Sequence, residues 1–205
     1  MNKNTTVQFY EDNAKEFCAK HDNVRLNSFH ETFRTLVKPG AKILEIGSGS
    51  GRDAILMLDF GYNVHILDGA KNLLEEAQIL HPELKGRAIY CVLPDKIPAE
   101  DASYDAFYSI ACLMHLTTED LNKAIPEIAR VLKTRAKGLV SLPASRPGLN
   151  RDMIDDKNRL MNILTPAEWQ NLFSSHGFTT KIGDEEPDKI GREGVTWRNF
   201  TLIKQ

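Results

Sequence analysis

The stretch Ile43-Leu44-Glu45-Ile46-Gly47-Ser48-Gly49-Ser50-Gly51 runs from an apolar segment straight into three glycines spaced by two. Glycine lets the backbone turn tightly and admits a ligand to contact distance where a Cβ would stand in the way. Seventeen residues after Gly51 stands Asp68, at the end of the next apolar run. A carboxylate there can accept hydrogen bonds from both hydroxyls of a ribose. A glycine turn with a distal acid therefore points to a nucleoside-containing cofactor. Gly49-Ser50-Gly51-Arg52-Asp53-Ala54 also meets the dinucleotide pattern G-x-G-x-x-A, so a nicotinamide cofactor competes. Against that register, Gly47 is already the first glycine after the apolar segment. Glu45, just before the turn, also suits a cofactor bearing an ammonium better than one bearing a pyrophosphate.

These residues need a scaffold that ends strands at a common edge. Lys42–Ile46 and residues 63–67 read as strands, with Ala54, Ile55 and Leu58 at helical spacing between them and Gly61 as a stop. Leu73, Leu74, Ala77 and Leu80 mark a helix that ends before Pro82, followed by a short strand at residues 87–91. Residues 106–111 read as a fourth strand. Thr117, with Asp120 three residues on, caps a helix carrying Leu121, Ile125, Ile128 and Leu132, which Pro126 is expected to kink or restart. Residues 133–138 read as a solvated basic turn, residues 138–142 as a fifth strand and residues 143–158 as an irregular loop. Thr165, Pro166 and Glu168 open a further helix with Gly177 as its stop. Residues 179–183 and 195–203 are expected to pair as antiparallel edge strands. Strands alternating with helices predict an α/β fold, doubly wound.

The 205 residues suit one domain, and 26% charged with 41% hydrophobic residues suits a folded one. With 26 Lys and Arg against 28 Asp and Glu, a net charge of −2, there is no global positive field for nucleic acid. The uncharged run at residues 106–118 contains His115 and falls short of the roughly 18–20 residues of a membrane span. The first ten residues lack the apolar run of a secretory signal. Cys18, Cys91 and Cys112, odd in number and widely spaced, suggest neither disulfides nor a metal site. A cytoplasmic protein without metal, nucleic-acid partner or membrane association is expected.

Residues 45–51 resemble, without a gap, the first motif of class I S-adenosylmethionine-dependent methyltransferases: an acid, then G-x-G-x-G. The likeness continues through Asp68 as the ribose acid, residues 97–105 before the fourth strand, and Arg130-Val131-Leu132-Lys133 before the fifth. Gly49 to Asp53 ("GSGRD"), Tyr10 with Phe17, and Gly191-Arg192 with Trp197 and Asn199 look most similar to small bacterial members. The resemblance covers roughly residues 9–203. It implies a Rossmann-like, mostly parallel seven-stranded sheet with an antiparallel edge strand and helices on both faces. It also implies one domain over 1–205, with 1–40 a helical lid segment and 41–205 the core, and methyl transfer from S-adenosylmethionine to a small-molecule acceptor. The cofactor residues it implies in the first half of the site are Tyr10, Glu45, Gly47, Ser48, Gly49, Gly51 and Arg52. Beyond them it implies Asp68, Gly69, Leu93, Pro94 and Ile110. The family commonly has an acid where Leu93 stands, so backbone groups around Leu93 and Pro94 are expected to meet the adenine. Two other readings stay open, an NAD(P)-dependent oxidoreductase and an S-adenosylmethionine-binding protein without transferase activity. The first lacks any Tyr-x-x-x-Lys pair.

Transfer from a sulfonium is an in-line substitution, and holding the acceptor in place supplies roughly 7–11 kcal/mol of the barrier without acid or base. Where the acceptor is a hydroxyl or a protonated amine, a base adds about 10²- to 10⁴-fold. His115, just past the fourth strand, is the candidate base. Arg146, Arg192, Trp197 and Arg198 are candidates for an acceptor pocket of anionic or aromatic preference. Tyr10 and Phe17, seven apart on one face of a short helix, are candidates for a lid.

Overall fold

β1 (Lys42–Ile46) sends Leu44 and Ile46 into one hydrophobic cluster and Ile43 into another, because successive side chains leave a strand on opposite faces. Those two clusters are the two faces of a seven-stranded sheet with order β3-β2-β1-β4-β5-β7-β6. β2 (Asn63–Asp68), β3 (Ala88–Tyr90), β4 (Tyr104–Ile110) and β5 (Leu132–Ser145) run parallel with β1. β6 (Phe178–Pro187) and β7 (Thr196–Lys204) form the antiparallel edge pair, with β7 inserted between β5 and β6. On the Ile43 face lie α3 (Asn27–Leu36), α4 (Arg52–Asp59) and α5 (Lys71–Leu80), contributing Phe33, Met57 and Leu74. On the Leu44 face lie α6 (Thr118–Val131) and α7 (Pro166–Ser175), contributing Leu121, Ile125, Trp169 and Phe173. The architecture is the Rossmann-like one the sequence predicts, with helices on both faces. In this computed structural model the described residues are 5–205; residues 1–4, the start of the expected lid segment, lie outside them.

Several elements differ from the sequence reading. The N-terminal segment is two helices, α1 (Thr5–Asp12) and α2 (Ala14–His21), parted at Asn13, whose side chain donates to the Phe9 carbonyl at 2.7 Å. Tyr10 and Phe17 therefore meet edge to face from two helices, ring centroids 5.2 Å apart, rather than lying along one. α6 continues through Pro126 without restarting. Residues 133–136 are a bulge inside β5 and not a turn before it. Leu132 pairs with Tyr104, the next registered pair is Ala106 with Lys137, and buried Leu132 and Ala136 anchor the excursion while residues 133–135 stay exposed. Among the described residues no helix is long and apolar enough to cross a membrane.

β1 has β2 on one side and β4 on the other, so the carboxyl ends of β1, β2 and β4 frame a crevice. This is the switch point where open α/β sheets bind ligands. The N-terminal helices cover it. Ala14 and Cys18 pack on Ala70 and Leu73, and Glu11 accepts from the backbone N–H of Lys71 and Asn72 at 2.8 and 2.7 Å. α5 has no capping side chain of its own at Ala70, so Glu11 supplies the anion that a helix N-terminus favours.

Candidate functional site

Asp68 ends β2 and organises the glycine turn. Its Oδ2 accepts from Gly49 N–H at 3.0 Å and its Oδ1 from Ala70 N–H at 2.9 Å. Gly49 sits at φ +54°, and a Cβ there would come 3.1 Å from the Phe17 ring. The turn opens on a cavity of about 290 Å³. Tyr10, Gly47, Ser48, Gly49, Arg52 and Asp68 line it, together with Gly69, Leu93, Ile110 and His115. Its walls extend to Arg146, Arg192 and Trp197, so three of the four acceptor-pocket candidates border the same space.

Four singled-out residues do not line the cavity, each for a local reason. Glu45 shares the parity of Ile43 on β1, so its side chain enters the Ile43 face opposite Tyr108, its registered neighbour on β4. There it is buried, and burial, then the charge of Asp53, pushes its carboxyl well above the usual range. Gly51, at φ +78°, is the left-handed residue preceding α4, and a Cβ on it would overlap Leu84 rather than reach the cavity. That also removes the dinucleotide register, in which the second glycine must face a pyrophosphate. Pro94 follows the lining residue Leu93 into a turn closed by Asp95 N–H on the Val92 carbonyl at 2.9 Å. Arg198 turns outward, donating to the Gly183 carbonyl at 2.7 Å and to Glu185 at 2.9 Å.

His115 is fixed at both nitrogens. Nδ1 lies 2.7 Å from the Leu160 carbonyl. A carbonyl only accepts, so Nδ1 carries the proton, and Nε2 accepts from the Tyr10 hydroxyl at 3.0 Å. The Tyr10 oxygen in turn accepts from Arg159 Nη1 at 3.0 Å, and Arg159 is paired with Asp155 at 2.6 Å. Burial lowers the His115 pKa to about 4 and raises that of Tyr10 to about 12. At neutral pH the imidazole is uncharged and the phenol protonated. Arg159 and Asp155 were missed by sequence reasoning. They sit between β5 and α7, and only the fold brings Arg159 to Tyr10, 149 positions away.

Burial also pushes the Asp68 carboxyl up to about 6, against the backbone N–H groups of Ala70, Gly49 and Gly69 that lower it. The two groups act oppositely on acid stability. Between roughly pH 6.5 and 4 the unfolded chain takes up a proton on His115 that the folded one refuses, so His115 costs stability as pH falls. Between roughly pH 6 and 3.9 the folded chain holds a proton on Asp68 that the unfolded one has lost, so Asp68 adds stability as pH falls. Melting temperatures measured across that range should show His115→Gln gaining on the wild type as pH drops, and Asp68→Asn losing ground. Parallel curves would mean that neither group titrates as its surroundings demand.

The wall fits an adenosyl group. Asp68 presents its carboxylate beside the turn, Gly49 leaves the space a Cβ would fill, and the buried Ser48 hydroxyl on the lining has no hydrogen-bond partner among the described residues. The model of the methyltransferase domain family matches residues 44–140. An uncharacterised protein of Haemophilus influenzae is 30% identical over 146 residues, 67% of this chain and 58% of that one. The O-methyltransferase resE of Aspergillus sclerotiorum is 33% identical over 98 residues, 46% of this chain and 36% of that one. The chain thus spans between about a third and three-fifths of the length of these curated relatives. Among solved structures, the 1,6-didemethyltoxoflavin-N1-methyltransferase of Burkholderia thailandensis superposes with a TM-score of 0.77 at 19% identity, covering 99% of this chain and 87% of that one. Phosphoethanolamine N-methyltransferase 2 of Haemonchus contortus gives 0.68 at 20% identity, covering 87% and 52%. These likenesses show the shared fold, and residues 44–140 match the methyltransferase domain family.

Proposed function

We propose that this chain transfers a methyl group from S-adenosylmethionine to a small-molecule acceptor held in the same cavity. One observation carries the reading: a single cavity joins the Asp68 and glycine-turn wall to a second wall containing Arg146, Arg192 and Trp197, beside the N-terminal residues Thr6, Tyr10 and Phe17. Donor and acceptor can share that space, and closure of the N-terminal helices over it would exclude water, which favours charge displacement at a sulfonium. The Burkholderia relative, whose structure holds 1,6-didemethyltoxoflavin and S-adenosylhomocysteine, supports an acceptor of that size. Residues 1–205 are taken as one domain in which residues 1–40 close the site. A net charge of −2 accords with a cytoplasmic protein that has no nucleic-acid partner.

When bound, the cofactor supplies an electrophilic methyl group. Asp68 would accept from the ribose hydroxyls, Arg52 and the glycine turn would hold the remainder, and the Leu93 backbone would border the adenine. Arg52 is itself oriented by Asp53 at 3.0 Å and by the His21 carbonyl at 2.7 Å, which ties it to α2. His115 can receive an acceptor proton only at Nε2, so the proton passes through the Tyr10 hydroxyl or Tyr10 first withdraws. Either route couples the base to the position of α1.

Calorimetry should show binding of S-adenosylhomocysteine and none of NAD or NADP, and incubation with S-adenosylmethionine and a panel of small hydroxyl and amine compounds should release S-adenosylhomocysteine. Binding of NAD without S-adenosylhomocysteine would sink the proposal. Cofactor binding with no acceptor turned over would favour a binding protein.

A further inference from the structure

Arg146, Arg159 and Arg192 all line the cavity, and two of them are committed. Arg159 binds Asp155 Oδ2 through Nε at 3.0 Å and Nη2 at 2.6 Å, and its Nη1 donates to Tyr10. Arg192 binds Asp188 through Nη2 at 2.5 Å and Nε at 3.2 Å, and Asp188 also accepts from Trp197 Nε1 at 2.8 Å. Arg146 is different. Among the described residues its guanidinium makes no hydrogen bond, and its ion-pair contact is Asp155 Oδ2 at 3.7 Å. That oxygen already accepts twice from Arg159, while Oδ1 accepts from the backbone N–H of Lys157 and Arg159 at 3.0 Å each.

The Arg146 side chain is only 15% exposed. Burial, with the charges of Arg192 and Arg159 nearby, lowers its pKa from the ordinary arginine value. A cation drawn out of water, with one long ion pair to an already saturated carboxylate and no hydrogen bond, is costly unless a ligand brings an anion to it. Its planar fork matches a carboxylate through two parallel hydrogen bonds. Glu186, another acid on the lining, is occupied by the Ser28 hydroxyl at 3.0 Å and Lys189 at 3.2 Å. The cofactor's own carboxylate has a separate candidate in Arg52, which lines the cavity beside the glycine turn and whose Nη2 makes no hydrogen bond among the described residues.

We infer that Arg146 reads a compact anionic group, in the first place a carboxylate, on the small molecule that receives the methyl. Calling that molecule the acceptor rests on the proposed function; the anion site itself does not. Arg146 follows directly on β5, and Trp197 and Pro143 give the same cavity apolar wall beside it, so the ligand class is a small organic acid with an apolar body.

The test titrates benzoate, phenylacetate and salicylate against their primary amides, with phenyl phosphate as a separate arm, by calorimetry on wild type, Arg146→Gln and Arg146→Lys, with and without saturating S-adenosylhomocysteine. At least one acid, or phenyl phosphate, should bind the wild type tenfold or more tighter than the amide of the same body. Arg146→Gln should erase the difference and Arg146→Lys keep part of it, with S-adenosylhomocysteine affinity unchanged in both. Phenyl phosphate binding more tightly than benzoate would support the anion site and assign it to phosphate. Anions binding no better than amides, a preference that survives Arg146→Gln, or weakened S-adenosylhomocysteine binding in that variant would each overturn the inference. Should Arg146→Gln fail to fold, the wild-type comparison and Arg146→Lys still decide. Failure of S-adenosylhomocysteine to bind the wild type would strike the proposed function alone, since the anion titration without cofactor still reads.

Discussion

Asp68→Ala should weaken S-adenosylhomocysteine binding by about 10- to 100-fold while leaving a folded protein. Hydrogen bonds to a charged acceptor are worth about 1.5–3 kcal/mol, and about 1.4 kcal/mol is a factor of ten in affinity. The substitution does more than remove the ribose acceptor. Gly49 N–H and Ala70 N–H lose the carboxylate that holds them, so the turn that cradles the ligand loosens as well. A pH series separates the two effects. With the carboxyl pushed up to about 6, wild-type affinity should fall as pH drops below 6, because the ribose hydroxyls need the ionised form as acceptor. The Asp68→Ala variant should lack that acid limb. Unchanged affinity in a folded variant, measured by calorimetry, would remove Asp68 from the site. Weakened affinity that keeps the acid limb would place the titrating group elsewhere.

The sheet was legible because its signals are local. Alternating apolar residues, Gly61, Pro82, Thr117 and Thr165 each act within a few positions, and their strands and helices stand where the sequence predicts, down to the Thr165–Glu168 capping box. The bulge at residues 133–136 was hidden because a basic, exposed stretch reads the same in a turn and in a strand excursion. What distinguishes them is pairing with Tyr104 and Ala106, some thirty positions away. Within the site, the sequence places Asp68 and Gly49 together at the strand ends because a glycine turn and a strand-end acid are local signals, and both line the cavity. Glu45, expected at the cofactor, stands off the lining for an equally physical reason. Its position in the motif says that it is near the turn, while strand parity, which sends it away from the cavity, becomes decisive only once the strand's two faces are known. The group around His115 was the least legible. Arg159 and Asp155 lie in a loop without periodicity, and their bond to Tyr10 requires the N-terminal helices to fold back over the sheet.

Gly49→Val should abolish measurable S-adenosylhomocysteine binding, a loss of 100-fold or more, and should also unsettle the N-terminal helices. A β-branched residue at φ +54° is strained, on the order of 1–2 kcal/mol, which should lower the melting temperature by several degrees. The new side chain also meets Phe17, whose ring would lie 3.1 Å from the Cβ alone. Phe17 stacks on His21 with centroids 4.2 Å apart and packs edge to face on Tyr10, which holds His115. Displacing the ring should therefore speed hydrogen exchange across residues 5–21 in the cofactor-free protein, whereas in the wild type S-adenosylhomocysteine should slow it. Phe17→Ala provides the control. In that background Gly49→Val should change exchange far less, because the ring it strikes is gone, yet binding should stay lost, because the valine still stands in ligand space. Retained binding in Gly49→Val would make the turn a structural feature without a ligand. Lost binding with unaltered exchange would show that Phe17 swings aside alone, and the two helices would then be packing on α5 rather than a lid that answers to the site.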